Sequence, residues 1–169
     1  MHLATEKLFA DENPLPLMLQ EMKTYYANIL LLYSAQVSKL LDTLPSLNLD
    51  IAMIAPDHGP IWRGELLNLP LEKYREWSAQ KPERRAVICY DTMWGATDKM
   101  ARSIADGIRS TGAAVEVFNM HNRSRSDVAT AMLKAGAHMG ATGENPVVVA
   151  CRTADVIVGP IGIIAADAL

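Results

Sequence analysis

Two short stretches of this chain carry side chains with chemical options. The first runs Ile88-Cys89-Tyr90-Asp91-Thr92-Met93-Trp94-Gly95-Ala96-Thr97-Asp98-Lys99, from an apolar segment through hydroxyls and small residues into a helical pattern. A turn of this kind gathers unpaired backbone N–H groups, the Thr92 and Thr97 hydroxyls and the positive end of a helix dipole around one point, which suits a phosphate. The residues placed to touch that phosphate are Thr92, Met93, Trp94, Gly95, Ala96 and Thr97. The loop lacks the Gly-Lys-Ser/Thr ending of a Walker A motif and is not GxGxxG. An ordinary strand-to-helix turn with Thr97 as N-cap has the same residue pattern, so both readings stand at this point. Trp94 favours a ligand, because a large aromatic in a tight loop needs something flat or apolar to cover.

The second stretch is Pro56-Asp57-His58-Gly59-Pro60, a tight turn directly after a short apolar run. His58 sits where α/β folds place chemistry and has the options of metal ligand, acid–base group or plain turn residue. His2, His121 and His138 share no ligand spacing with it, and no HxE, HxxxH or HExxH pattern occurs. Cys89 and Cys151 lie far apart without CxxC spacing, so a cysteine metal site or disulfide is not expected and a reducing cytoplasm fits.

The elements that must position these residues follow from pattern and punctuation. Apolar residues at Met18, Met22, Tyr25, Tyr26, Ile29, Tyr33, Val37, Leu40, Leu41 and Leu44 predict one amphipathic helix, or two in tandem, ended by Pro45. Tyr25, Tyr26 and Tyr33 are expected as core or interface aromatics. A strand is expected at 51–55 and a helix from Pro70 to Ser78. Residues 79–84, Ala-Gln-Lys-Pro-Glu-Arg, are polar and aperiodic and read as a linker between a first unit, 1–78, and a second, 85–169. Beyond it the pattern is strand (86–90, buried on both faces), helix (97–110), strand (115–118). The helix should turn Met100, Ala101, Ile104, Ala105 and Ile108 inward and end at Gly112. A further helix capped by Ser126 or Asp127 should end near Gly136, and a third strand should follow at 155–159. Arg84, Arg85, Arg123 and Arg125 are expected to be solvated. A parallel βαβ unit in a doubly wound sheet is the simplest arrangement, an incomplete one in this length of chain.

With 50% hydrophobic and 21% charged residues the 169-residue chain has a globular composition. A net charge of -3 gives nucleic acid no reason to bind, and no apolar stretch is long enough to span a membrane.

Two segments together resemble the flavodiiron proteins. Tyr25-Tyr26-Ala27-Asn28-Ile29-Leu30 and Ser34 to Leu49 are similar to helices late in that family's metallo-β-lactamase-like domain. Leu49 to Arg63 looks like the closing strand and turn of the same domain, and Tyr90 to Thr97 resembles the FMN phosphate loop of the flavodoxin-like domain that follows. The resemblance covers about residues 2–127. It implies a remnant of the lactamase-like domain joined to a partial flavodoxin-like domain. It also implies His58 as an iron ligand, FMN at Thr92 to Thr97, a rubredoxin-like electron donor and a head-to-tail homodimer. The family reduces dioxygen to water or nitric oxide to nitrous oxide at a di-iron centre. Its HxExDH motif and later histidine and aspartate ligands are absent here, as is its usual proline near Leu32, and one ligand cannot hold two irons. Di-iron catalysis by this chain alone is therefore not expected. Beyond about Asp127 the loops that grip the flavin ring are missing, and Ala131 to Gly162 resembles a small uncharacterised bacterial family instead. The expected capacity is that of an FMN-binding electron-transfer fragment. The alternatives are a non-catalytic α/β nucleotide-binding or interaction module, centred on the Gly-rich segment 139–145, and a non-functional chimera of two reading frames.

Overall fold

The computed structural model describes residues 5–137. The expected strand at 155–159, the Gly-rich segment 139–145, His2, His138 and Cys151 lie outside the described residues.

The helix Leu15–Tyr25 (α1) starts with Pro16 in its first turn, where a missing N–H costs nothing. It does not run straight on. A π-helical turn, Tyr26–Leu30, and a 3-10 turn, Leu31–Tyr33, separate it from Ser34–Thr43 (α2). Of the two arrangements expected, the tandem one is present, and the break needs no proline. The carbonyl of Thr24 takes the side-chain amide of Asn28 at 2.8 Å. A π turn inserts one extra residue and rotates everything beyond it by roughly 100°. Tyr26, Ala27, Leu31 and Ser34 are thereby buried, while Ile29 and Tyr33, expected on the apolar face, are about half exposed. Pro45 does not stop the chain outright; it starts a 3-10 turn, Leu44–Leu47, that ends at Asn48 in the left-handed region.

Only Met53–Ile54 (β1) of the expected strand at 51–55 is paired, antiparallel to Trp62–Arg63 (β2) across the His58 turn. Trp62 packs with Ala10 and Met18, and the Arg63 guanidinium lies over the Phe9 ring at 3.4 Å. The helix Leu69–Ser78 (α3) carries Trp77 and Tyr74 against Tyr26, with ring centroids 5.4 and 5.2 Å away.

Residues Arg85–Tyr90 (β3) and Ala114–Asn119 (β4) form a parallel pair, with Val87 opposite Glu116 and Cys89 opposite Phe118. Strand alternation puts Val87, Cys89, Glu116 and Phe118 on one face and Ala86, Ile88, Tyr90 and Val117 on the other. The helix Arg125–Lys134 (α5) covers the first face through Val128 and Ala131 against Phe118 and Val87. The helix Ala96–Arg109 (α4) lies on the second, where Tyr90 meets Asp98. The architecture is mixed α/β with one small parallel and one small antiparallel sheet among the described residues.

Several expectations are corrected here. β3 is half-buried with Cys89 exposed, because only two strands pair in this sheet among the described residues. On α4 only Ala101 and Ala105 are buried; Met100 and Ile104 are 63% and 53% exposed, since the two-stranded pair is too narrow to cover the full apolar stripe. The cap of α5 is Ser124, whose hydroxyl accepts the Asp127 N–H at 3.1 Å, not Ser126 or Asp127. Arg84 and Arg85 are not simply solvated. Arg84 donates to the Thr111 carbonyl, and Arg85 pairs with Glu116 at 2.9 Å on the α5 face of the sheet. No helix among the described residues is long and apolar enough to cross a membrane.

α5 also reaches the other half of the chain. Ala129 and Leu133 belong to the same buried cluster as Tyr26, Ala27, Leu31 and Trp77. Beneath it the helix ends at Gly136, φ +74°, where an added Cβ would lie 2.6 Å from the Pro82 Cα and 2.7 Å from the Lys81 carbonyl oxygen.

Two outcomes test this packing. Ser34 donates to the Leu31 carbonyl and lies 2.9 Å from the Tyr26 hydroxyl, with all partners buried. Ser34→Ala strands that phenol and costs about 1–3 kcal/mol, more than the roughly 0.5–1.5 kcal/mol of Tyr26→Phe, which removes both the hydroxyl and its need for a partner. Urea unfolding of the two variants gives the order. Gly136→Ala meets both backbone strain and the Lys81-Pro82 backbone, and a loss of at least about 1 kcal/mol is expected in the same measurement.

Candidate functional site

The loop between β3 and α4 is built by local hydrogen bonds. The Asp91 carboxylate accepts the Thr92 N–H at 2.7 Å, and the Thr92 hydroxyl oxygen accepts the Gly95 N–H at 2.9 Å. The Thr92 O–H proton stays available to a ligand. Gly95, φ +79°, is the N-cap of α4, in place of Thr97, because the chain must turn through the left-handed region to enter the helix. Nothing lies within 4 Å of where a Cβ on Gly95 would stand, so the space in front of it is open. The N–H groups of Met93, Trp94, Ala96 and Thr97 have no acceptor among the described residues. Met93 and Trp94 stand 84% and 88% exposed, so Trp94 covers nothing within the described protein.

Sequence reading missed the support behind this loop. The Tyr90 hydroxyl donates to the Asp98 carboxylate, which also takes Arg102 at 2.7 Å. The signal was present as the i, i+4 spacing of Asp98 and Arg102. Arg102 first, and then Tyr90, hold the Asp98 carboxyl below the usual carboxylate range. The pairing also offsets a negative charge in the first turn of α4, where a ligand phosphate would otherwise be repelled.

His58 occupies a separate setting. Its ring lies 5.8 Å from that of Tyr25, on the rim of a cleft of about 290 Å³ lined also by Met22, Asp57, Trp62 and Tyr74. Burial pushes the Tyr74 phenol up to about 12, so it stays protonated as a hydrogen-bond donor. Thr92 to Thr97 are brought together in one loop; none of them lines this cleft. Among the described residues no three His, Cys, Asp or Glu side chains come close enough to hold a metal ion. The described residues by themselves therefore do not assemble a di-iron centre.

Comparison with known proteins bears on both stretches. The chain is 40% identical over 136 residues to the nitric oxide reductase of Moorella thermoacetica, covering 80% of this chain and 34% of that one. Among solved structures, rubredoxin oxygen:oxidoreductase from Desulfovibrio gigas superimposes with a TM-score of 0.70 at 34% identity, over 78% of this chain and 33% of that one. The flavodiiron protein from Giardia intestinalis gives 0.65 at 34% identity, over 78% and 32%. Homologues and structural neighbours of this chain are flavodiiron proteins. It spans about a third of the length of those relatives, two of which are named as a nitric oxide reductase and a rubredoxin oxygen:oxidoreductase. The flavodiiron match does not stand alone, because residues 95–169 also match the family model Domain of unknown function (DUF3842), which begins about 30 residues before the start of the second resemblance.

The Asp98 pairing generates a pH test. Folding lowers this carboxylate's affinity for protons, so its contribution is present above the ordinary range near pH 4 and is lost as pH falls through the lower folded-state value. Asp98→Asn is expected to be less stable than the native chain at pH 7. Thermal unfolding across pH should show the gap closing below about pH 4.

Proposed function

We propose that this chain binds FMN through the β3–α4 loop, as the flavodoxin-like portion of a flavodiiron-type electron-transfer protein. In this reading residues 1–78 are a remnant of a metallo-β-lactamase-like domain, 79–84 a linker, and 85–169 a partial flavodoxin-like domain. The supporting observation is the open loop itself: among the described residues the N–H groups of Met93, Trp94, Ala96 and Thr97 have no acceptor, and the Thr92 hydroxyl, which accepts the Gly95 N–H, lies in the same loop at a helix N-terminus. These are the donors that a phosphate monoester needs. Bound FMN supplies one- and two-electron chemistry at its ring system. The chain's own residues do the holding. Thr92, Ala96 and Thr97 donate to the phosphate, Gly95 lets the backbone approach it, and Trp94 offers an exposed ring to whatever lies above the loop.

A rubredoxin-type protein is the proposed electron donor, in line with the name of the Desulfovibrio relative. A homodimer is proposed as the working assembly. His58 is proposed only as the position of a lost or shared iron ligand, since the described residues do not assemble a metal site. The activity proposed is therefore electron transfer without reduction of dioxygen or nitric oxide at a di-iron centre. One observation favours a second reading, a non-catalytic α/β nucleotide-binding or interaction module: the match of residues 95–169 to a family of unknown function begins inside the loop.

Titration of the purified chain with FMN separates the two. The first reading expects quenching of Trp94 emission, abolished by Trp94→Phe, and an affinity loss of about tenfold in Thr92→Ala, the equivalent of one hydrogen bond to a charged group. Absence of any flavin-induced change, or an affinity untouched by Thr92→Ala, overturns the loop assignment and leaves the module.

A further inference from the structure

The seam between the strand pair and the N-terminal helices holds a groove of about 650 Å³, walled by α1, α3, β4 and α5. Four cations line it, Lys23, Lys73, Arg123 and Lys134, along with three carboxylates, Glu76, Glu116 and Asp127. Two of the carboxylates are engaged already. Glu76 binds Lys73 at 2.6 Å, and Glu116 binds Arg85 at 2.9 Å. Among the described residues Lys23, Arg123 and Lys134 form no ion pair, which leaves three cations facing the single carboxylate of Asp127.

Lys23 is half-buried on α1, and Lys134 approaches from the end of α5. Burial and the Lys134 ammonium lower the proton affinity of Lys23, while Glu76 and Glu83 act in the opposite sense. Lys23 and Lys134 line the same groove, so an anion seated there is attracted to both. The groove is far larger than an inorganic anion, and the Trp77 and Phe118 rings contribute to its lining.

The geometry points to an anion-binding groove that takes a small organic phosphate, its phosphate group between Lys23 and Lys134 and its organic part toward Trp77 and Phe118. This site is independent of the flavin loop, since none of residues 92–97 lines it.

The test is thermal unfolding of the full chain in sodium phosphate against sodium chloride at matched ionic strength, so that general screening is cancelled. Phosphate should raise Tm above chloride, and phenyl phosphate should raise it further at equal concentration. The double variant Lys23→Met, Lys134→Met keeps the apolar stems and should weaken the apparent phosphate Kd by at least about tenfold. If that variant fails to fold, Lys134→Gln alone, at an exposed helix end, should still lower the affinity. Equal Tm in phosphate and chloride overturns the proposal. So does a phosphate effect that survives in the lysine variants, which would put the anion elsewhere.

Discussion

Ala129 and Leu133 of α5 sit in the same buried cluster as Tyr26, Leu31 and Trp77, and that contact ties the parallel strand pair to the helices before it. A two-stranded parallel sheet has little surface of its own to bury and is marginal without packing partners. α5 supplies them on two sides at once. Val128 and Ala131 close over Phe118, while Ala129 and Leu133 reach the π turn and α3. Small residues at 129 and 131 allow this, because an alanine lets a helix backbone approach closely on either side. The Ser126 hydroxyl and the Asn28 side-chain amide oxygen, 3.5 Å apart, lie along the same seam.

The position of the loop depends on that arrangement. β3 can deliver Tyr90, Asp91 and Thr92 to one point only if the strand is held in register with β4, and the register is locked partly by Arg85 and Glu116 on the face that α5 covers. On the opposite face Tyr90 and Arg102 converge on Asp98 and steady the first turn of α4. The space around the Gly95 Cα is open, and the Asp98 carboxylate in the first turn of α4 is engaged by Tyr90 and Arg102.

The same seam produces the charged groove. Lys23 of α1 and Lys134 of α5 both line it. Burial, and then the Lys134 ammonium, lower the proton affinity of half-buried Lys23. The seam thus joins the halves and also concentrates positive charge on a chain whose net charge is -3.

Much of this was legible from residue order. The apolar run before Tyr90, the Gly95 turn and the amphipathic stretch after it determine strand, loop and helix, because each follows from local sterics and short-range periodicity. Gly112 and Gly136 mark helix ends for the same reason, both at positive φ. Pro70 near the start of α3 was equally readable. What periodicity could not supply was phase across the π turn: one extra residue at Tyr26–Leu30 put Ile29 and Tyr33 outward, and no proline announced it. Nor could it tell how much of α4 a two-stranded sheet would cover, or that Arg85 would find Glu116 across the strands. The loop's residues were determined locally. That Lys23 and Lys134 line one groove was decided only by the tertiary packing that buries Ala129 and Leu133 with Tyr26 and Leu31, because that burial depends on contacts between residues more than 100 positions apart in the chain.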